Sequence, residues 1–150
     1  MRSVAAQLSD ALRTPPGDTP LLLTRRDDGD WEPTTYGAVA DAAAELAAGL
    51  ASLGIGPRST VAIASENRRE WLEADFACAF GDYMSVGLHA EWSTEKLADI
   101  AVRTEVKCIV VSRDAVARIG AALAHPLLAR QKSAEHFRTL NTMHFTAFYL

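Results

Sequence analysis

Apolar residues recur along the 150-residue chain in two rhythms that alternate, and the alternation predicts its elements. Val4, Leu8 and Leu12, four apart, predict a short amphipathic helix that Thr14-Pro15-Pro16-Gly17-Asp18 ends. Leu21 to Thr24 and Trp31 to Thr35 read as strands around the turn Asp27-Asp28-Gly29-Asp30, which makes a β-hairpin. From Tyr36 to Leu53, an alanine-rich stretch with Val39, Leu46, Leu50 and Leu53 on one face predicts a helix that lies close against a sheet. Gly54 stands where a helix C-cap glycine belongs, and Gly56-Pro57 blocks continuation.

Thr60 to Ser65 (TVAIAS) is rich in β-branched residues and reads as a buried strand. Asn67, with Glu70 three residues on, predicts a capped helix whose apolar positions are Trp71, Leu72, Phe76 and Phe80, ending at Gly81. Met84 to Leu88 follows as a strand, then Ser93 or Thr94 as a cap before the stripe Leu97, Ile100 and Ala101. Lys107 to Ser112 (KCIVVS) is another strand, with an alanine-rich helix from about Asp114. Strands alternating with helices predict an α/β fold, a mainly parallel sheet with right-handed crossovers and flanking helices, plus the short hairpin. After Ala124 the character changes: three of the four histidines lie there, basic residues outnumber acidic ones, and no strand–helix rhythm is evident.

Composition narrows the class. Hydrophobic residues at 49% support a packed core, and 150 residues suffice for one domain or part of one. The net charge is −4 with scattered Lys and Arg, which disfavours nucleic acid as a partner. No apolar run approaches the roughly 20 residues of a membrane-spanning helix. Gln7, Ser9 and Asp10 interrupt the N-terminal segment, so it does not read as a secretory signal, and Asp10 also argues against a transit peptide. Cys78 and Cys108 lie far apart in apolar segments, the pattern of reduced core thiols in a cytoplasmic protein.

Neither G-x-G-x-x-G after a strand nor G-x-x-x-x-G-K-[ST] occurs. Gly54-Ile55-Gly56 lies between a helix and a strand, the wrong order for a pyrophosphate turn, and reads as a cap and turn. Ligands of open parallel sheets bind beyond the carboxyl ends of strands, which nominates Ser65, Glu66 and Asn67 after one strand and His89, Glu91 and Trp92 after another. Glu66 and Asn67 have a plain alternative as loop acid and helix cap. His89 could carry a proton near neutral pH or be an ordinary loop residue. No G-x-S-x-G elbow surrounds Ser65, Ser85 or Ser112. His125, His136 and His144 are too irregularly spaced for a helical metal pair. The aromatics from Trp71 to Phe80, at helical spacing, read as core rather than a stacking platform.

Several landmarks occur in a fixed order: Thr35-Tyr36-Gly37, Leu53-Gly54-Ile55-Gly56-Pro57, Val61 to Trp71 (VAIASENRREW) and Phe80 to Leu88 (FGDYMSVGL). Together they resemble the N-terminal part of the AMP-forming adenylate-forming enzymes, and within these most of all the long-chain fatty acyl-CoA synthetases. The resemblance runs from about Leu21 to Arg118. It implies the first part of such an enzyme's large domain, an incomplete domain over residues 1–124, followed by a divergent tail over 125–150. The implied activity of the complete enzyme is ATP-dependent conversion of a fatty acid to an acyl-adenylate, with pyrophosphate released, then transfer to coenzyme A. Magnesium accompanies the ATP.

The departures bear on activity. The family's Ser/Thr/Gly-rich loop ending in Pro-Lys-Gly is not found here, nor its aromatic-Thr-Glu segment, its ribose-binding aspartate or its C-terminal lysine. No catalytic, cofactor-binding or metal-binding residue therefore carries over. Gly87 stands where the family usually has the proline of a valine-proline pair. The expected function is that of a piece of a fatty acid–CoA ligase, inactive alone and without a cofactor of its own. The alternatives are a noncatalytic module that self-associates or docks on a related full-length protein, and a small nucleotide- or acyl-binding α/β domain. The expected location is cytoplasmic, with peripheral membrane association an implication of the resemblance only.

Overall fold

The computed structural model describes residues 3–89, 91–129, 138–141 and 146–149. They form two compact units, Met1–Pro57 with Arg68–Asp82, and Arg58–Asn67 with Tyr83–Leu150.

The first unit begins with helix α1 (Val4–Arg13), capped by Ser3, whose hydroxyl accepts from the Ala6 N–H at 3.2 Å. Leu12 is buried as the spacing predicts, but Val4, in the first turn, is 74% exposed. Strands β1 (Pro20–Arg25) and β2 (Trp31–Thr35) pair antiparallel. In the predicted turn Gly29 takes φ +91, and Asp28 accepts from the Asp30 N–H while pairing with Arg26. Thr35 then caps α2 (Tyr36–Ser52) through the Ala38 N–H, and an exposed ion pair at 3.0 Å links Arg13 to Asp41 of that helix.

The end of α2 is set by backbone chemistry. Gly54 has φ +86; its N–H donates to the Ala51 carbonyl at 3.0 Å and the Ile55 N–H to the Leu50 carbonyl at 3.2 Å. This pair of hydrogen bonds satisfies two of the orphan carbonyls of the helix terminus, and Leu50 and Ile55 are both buried beside it. The Gly54-Ile55-Gly56 segment is thus a helix stop.

Helix α3 (Arg69–Phe80) starts one residue later than a cap at Asn67 would place it. The cap residue is Arg68, which makes no side-chain cap bond, so the expected Asn67–Glu70 capping pair does not form. Glu70 is instead gripped by the Arg68 guanidinium at 2.7 and 2.9 Å. The buried face also differs from the expected one. Glu70, Glu73, Ala74, Ala77 and Cys78 are buried, whereas Trp71, Leu72, Phe76 and Phe80 are only half-buried. Ala77 meets Ala43 and Ala47 of α2, and Leu46, Phe76 and Phe80 pack around this contact. Small side chains let the backbones approach, which leaves the large aromatics at the margin.

The second unit is a five-stranded sheet in the order β4-β3-β5-β7-β6. Its strands are β3 (Thr60–Ala64), β4 (Met84–Leu88), β5 (Val106–Val111), β6 (Arg138–Asn141) and β7 (Thr146–Tyr149). The pairs β3–β4 and β3–β5 are parallel, with Ala64 level with Leu88 and Val111. Arg58, Asp82 and Glu105 take left-handed φ of 63, 56 and 51 in the turns entering β3, β4 and β5. Helix α4 (Thr94–Arg103), capped by Ser93, follows β4; a 3-10 turn (Arg113–Ala115), α5 (Val116–Leu123) and α6 (Pro126–Ala129) follow β5. One core joins Ala62, Ala64, Leu88, Ile109 and Val111 of the sheet to Leu97, Ala98 and Ala101 of α4 and Ile119 and Ala122 of α5.

The segment after Ala124, which shows no strand–helix rhythm, nevertheless supplies two strands to this sheet. β7 pairs antiparallel with both β5 and β6, from Cys108↔Tyr149 and Arg138↔Tyr149 onward. These strands have four residues each, too few to set up a visible period, and an antiparallel addition needs no crossover helix. His136, His144, Phe145 and Leu150 lie outside the described residues.

The Gly54 geometry makes a direct prediction. Gly54→Ala places a Cβ in open space but at positive φ, so the loss should be conformational, about 1 kcal/mol in chemical denaturation. Val4→Ala should change stability by less than about 0.5 kcal/mol in the same measurement.

Candidate functional site

Because β4, β3 and β5 are parallel and end level, the residues that follow them emerge at one edge of the sheet. The order of these strands also reverses at β3. From β3 the chain proceeds to β4 on one side, and from β4 it passes to β5 on the other. The crevice between the carboxyl ends of β3 and β5 is therefore a topological switch point, where open α/β sheets bind their ligands.

Two of the three candidates after β3 take part in contacts there. Ser65 is half-buried and its hydroxyl donates to the Glu66 carbonyl at 3.1 Å. Glu66 is exposed, yet its Oε1 accepts from the hydroxyl of Ser112, which is fully buried at the end of β5, at 3.2 Å. The Ser112 N–H donates to the Ala64 carbonyl at 3.0 Å, extending the β3–β5 ladder by one residue. Asn67 is exposed and caps nothing. In the sequence Ser112 stands out only as a serine without a nucleophile elbow. The available signal was its place one residue beyond a buried strand, which puts it at the same edge as Glu66.

The candidates after β4 form a separate cluster. The rings of His89 and Trp92 lie 4.8 Å apart and tilted by 52°, and the Trp92 N–H donates to the His89 carbonyl at 3.0 Å. Lys96 Nζ stands 4.2 Å from the Trp92 ring centre, a cation–π contact. Trp92 packs on the core below, while His89 and Glu91 are exposed. Among the described residues no carboxylate hydrogen-bonds His89, so no acid–base dyad is assembled there. A cavity of about 280 Å³ opens nearby at the start of α4, lined by Ser93, Glu95, Lys96, Asp99 and Leu127.

The remaining titratable groups have structural settings. In the first unit, Arg68 holds the Glu70 carboxyl down to about 2, from 4.5, against the opposing effect of burial. Arg69 pairs with Glu73 at 3.0 Å one turn along α3. Burial, with a contribution from Asp75, pushes the Cys78 thiol up to about 12, so it stays protonated and is a poor nucleophile. Cys108 is buried in β5. The His125 Nδ1 accepts from the Leu127 N–H at 3.3 Å at the start of α6. Among the described residues no three His, Cys, Asp or Glu side chains are grouped to hold a metal ion, and no helix is long and apolar enough to cross a membrane.

A parallel three-stranded arrangement with flanking helices and an appended antiparallel pair defines an α/β domain. The chain belongs to the AMP-binding enzyme family, whose model matches residues 8–146. It is 36% identical over 81 residues to the peroxisomal long chain acyl-CoA synthetase 6 of Arabidopsis thaliana, covering 54% of this chain and 12% of that protein. Among solved structures it resembles a benzoate CoA ligase from Burkholderia xenovorans, with a TM-score of 0.71 and 19% identity over 83% of this chain and 24% of that one. It also resembles the A domain of a carboxylic acid reductase from Segniliparus rugosus, solved with AMP and a carboxylic acid, with a TM-score of 0.71 and 19% identity over 84% and 23% of the two chains. The chain thus spans about an eighth of the curated relative and about a quarter of these structures.

The Arg68–Glu70 pair yields a pH prediction. A carboxyl held below its ordinary value stabilises the fold fully above about 4.5 and loses that contribution as pH falls towards about 2. Glu70→Gln should therefore be less stable than the parent by about 1–2 kcal/mol at pH 7, a figure reduced for the solvent screening of the 36% exposed Arg68. In urea titrations across pH the difference should narrow between pH 4.5 and 2.

Proposed function

We propose that this chain is the scaffold-forming N-terminal portion of an ATP-dependent fatty acid–CoA ligase and does not catalyse the reaction by itself. The observation that carries the reading is the family match from residue 8 to residue 146, which runs through both units and into β7. The 36% identity to a long chain acyl-CoA synthetase favours a fatty acid among the carboxylates such ligases activate. In the complete enzyme, ATP with magnesium would convert the acid to an acyl-adenylate, and coenzyme A would take the acyl group.

The loops at the switch point do not fit the phosphates of that ATP. Ser65-Glu66-Asn67-Arg68 after β3 and Ser112-Arg113-Asp114 after β5 contain no glycine and no lysine, and in each the one arginine is offset by a carboxylate, Glu66 or Asp114, so neither presents net positive charge to an arriving anion. What these residues supply is shape: the parallel ladder, its helical cover and a firm carboxyl edge. Among the described residues β4 pairs with β3 only, which suits a sheet that continues in a longer protein. A cytoplasmic setting is part of this proposal, with peripheral membrane association resting on the family resemblance alone.

Pyrophosphate exchange tests the reading. The purified chain with ATP, magnesium and palmitate should return no labelled ATP above a protein-free blank. Robust exchange by pure protein would overturn the proposal and place a working phosphate site within these residues.

A further inference from the structure

The hydrogen bond between Ser112 and Glu66 spans 46 residues of sequence and crosses the switch-point crevice, from the end of β5 to the loop after β3. Its two partners are not equivalent. Glu66 is exposed, so water can replace the serine if the loop swings away. Ser112 is 0% exposed, so its hydroxyl would be left without a partner. The penalty for releasing the loop therefore falls on the buried end, and that asymmetry favours the closed arrangement even though the visible end is solvated. The backbone bond from the Ser112 N–H to Ala64 fixes the serine in the ladder, and the Ser65 hydroxyl bound to the Glu66 carbonyl stiffens the loop from its own side.

We propose that Ser112 is a positioning residue, which acts through Glu66 to pin residues 65–67 across the carboxyl edge of the sheet. The pin holds in place the loop that borders the crevice. The inference stands on this geometry and not on the ligase reading, so it survives whether or not the chain binds a nucleotide.

Backbone ¹⁵N relaxation on the full 150-residue chain tests it. Order parameters of residues 65–67 should fall from rigid values near about 0.85 to below about 0.6 in Ser112→Ala and in Glu66→Ala, while β3 keeps its own. Glu66→Gln retains an acceptor oxygen and should keep the loop ordered, a rescue that loss of packing alone would not produce. The double variant should be no more mobile than either single one, because both break the same bond. Because Glu66 is exposed, its variants leave the core intact and decide the matter even if Ser112→Ala does not fold. Unchanged loop order in Glu66→Ala, equal mobility in the Gln and Ala variants, or additive effects in the double variant would overturn the proposal.

Discussion

Everything in the second unit depends on β3 being hydrogen-bonded along both edges. All five of its residues are buried, and its parallel partners β4 and β5 are aligned through it. Its side chains alternate: Ala62 and Ala64 enter the core shared with α4 and α5, while Val61 and Ile63 are buried on the opposite face. A strand buried on both faces is apolar in its interior, which is why Val61-Ala62-Ile63-Ala64 carries no polar alternation. The same pairing makes three strand ends level, and level ends place Glu66, His89 and Ser112 at one edge.

Elements governed by local chemistry were legible in the sequence. The hairpin around Gly29, the stop of α2 at Gly54 and the Ser93 cap of α4 each depend on a few neighbouring residues whose backbone demands are specific. The family resemblance was legible for a related reason, since its landmarks are these caps, turns and buried strands in order. What the sequence hid was set by distant partners. Asn67 and Glu70 have capping spacing, but Arg68 offers Glu70 a stronger, charge-assisted bond. The aromatics of α3 look like its core face until Ala43 and Ala47 of α2 supply a close-fitting partner for Ala77. β6 and β7 leave almost no trace, because four-residue strands take their register from the strands they pair with, β7 from β5 and β6 from β7, rather than from their own pattern.

The candidate site divides in the same way. Ser65 and Glu66 were reachable from the rule that ligands gather beyond strand ends, and so were His89 and Trp92. The structure separates them into two clusters and adds Ser112, whose importance lies in a contact 46 residues away that no spacing reveals. Neither cluster brings together a nucleophile, a base and an oxyanion site. The chain has the frame of an adenylate-forming domain, and the proposed reading separates that frame from the chemistry.

That separation is the central claim, and binding tests it more directly than turnover. On the proposal that the loops after β3 and β5 do not hold phosphates, titration calorimetry of the purified chain with magnesium ATP should give only heats of dilution. A saturable isotherm with one site per chain would contradict the account and show that these 150 residues carry a nucleotide site of their own.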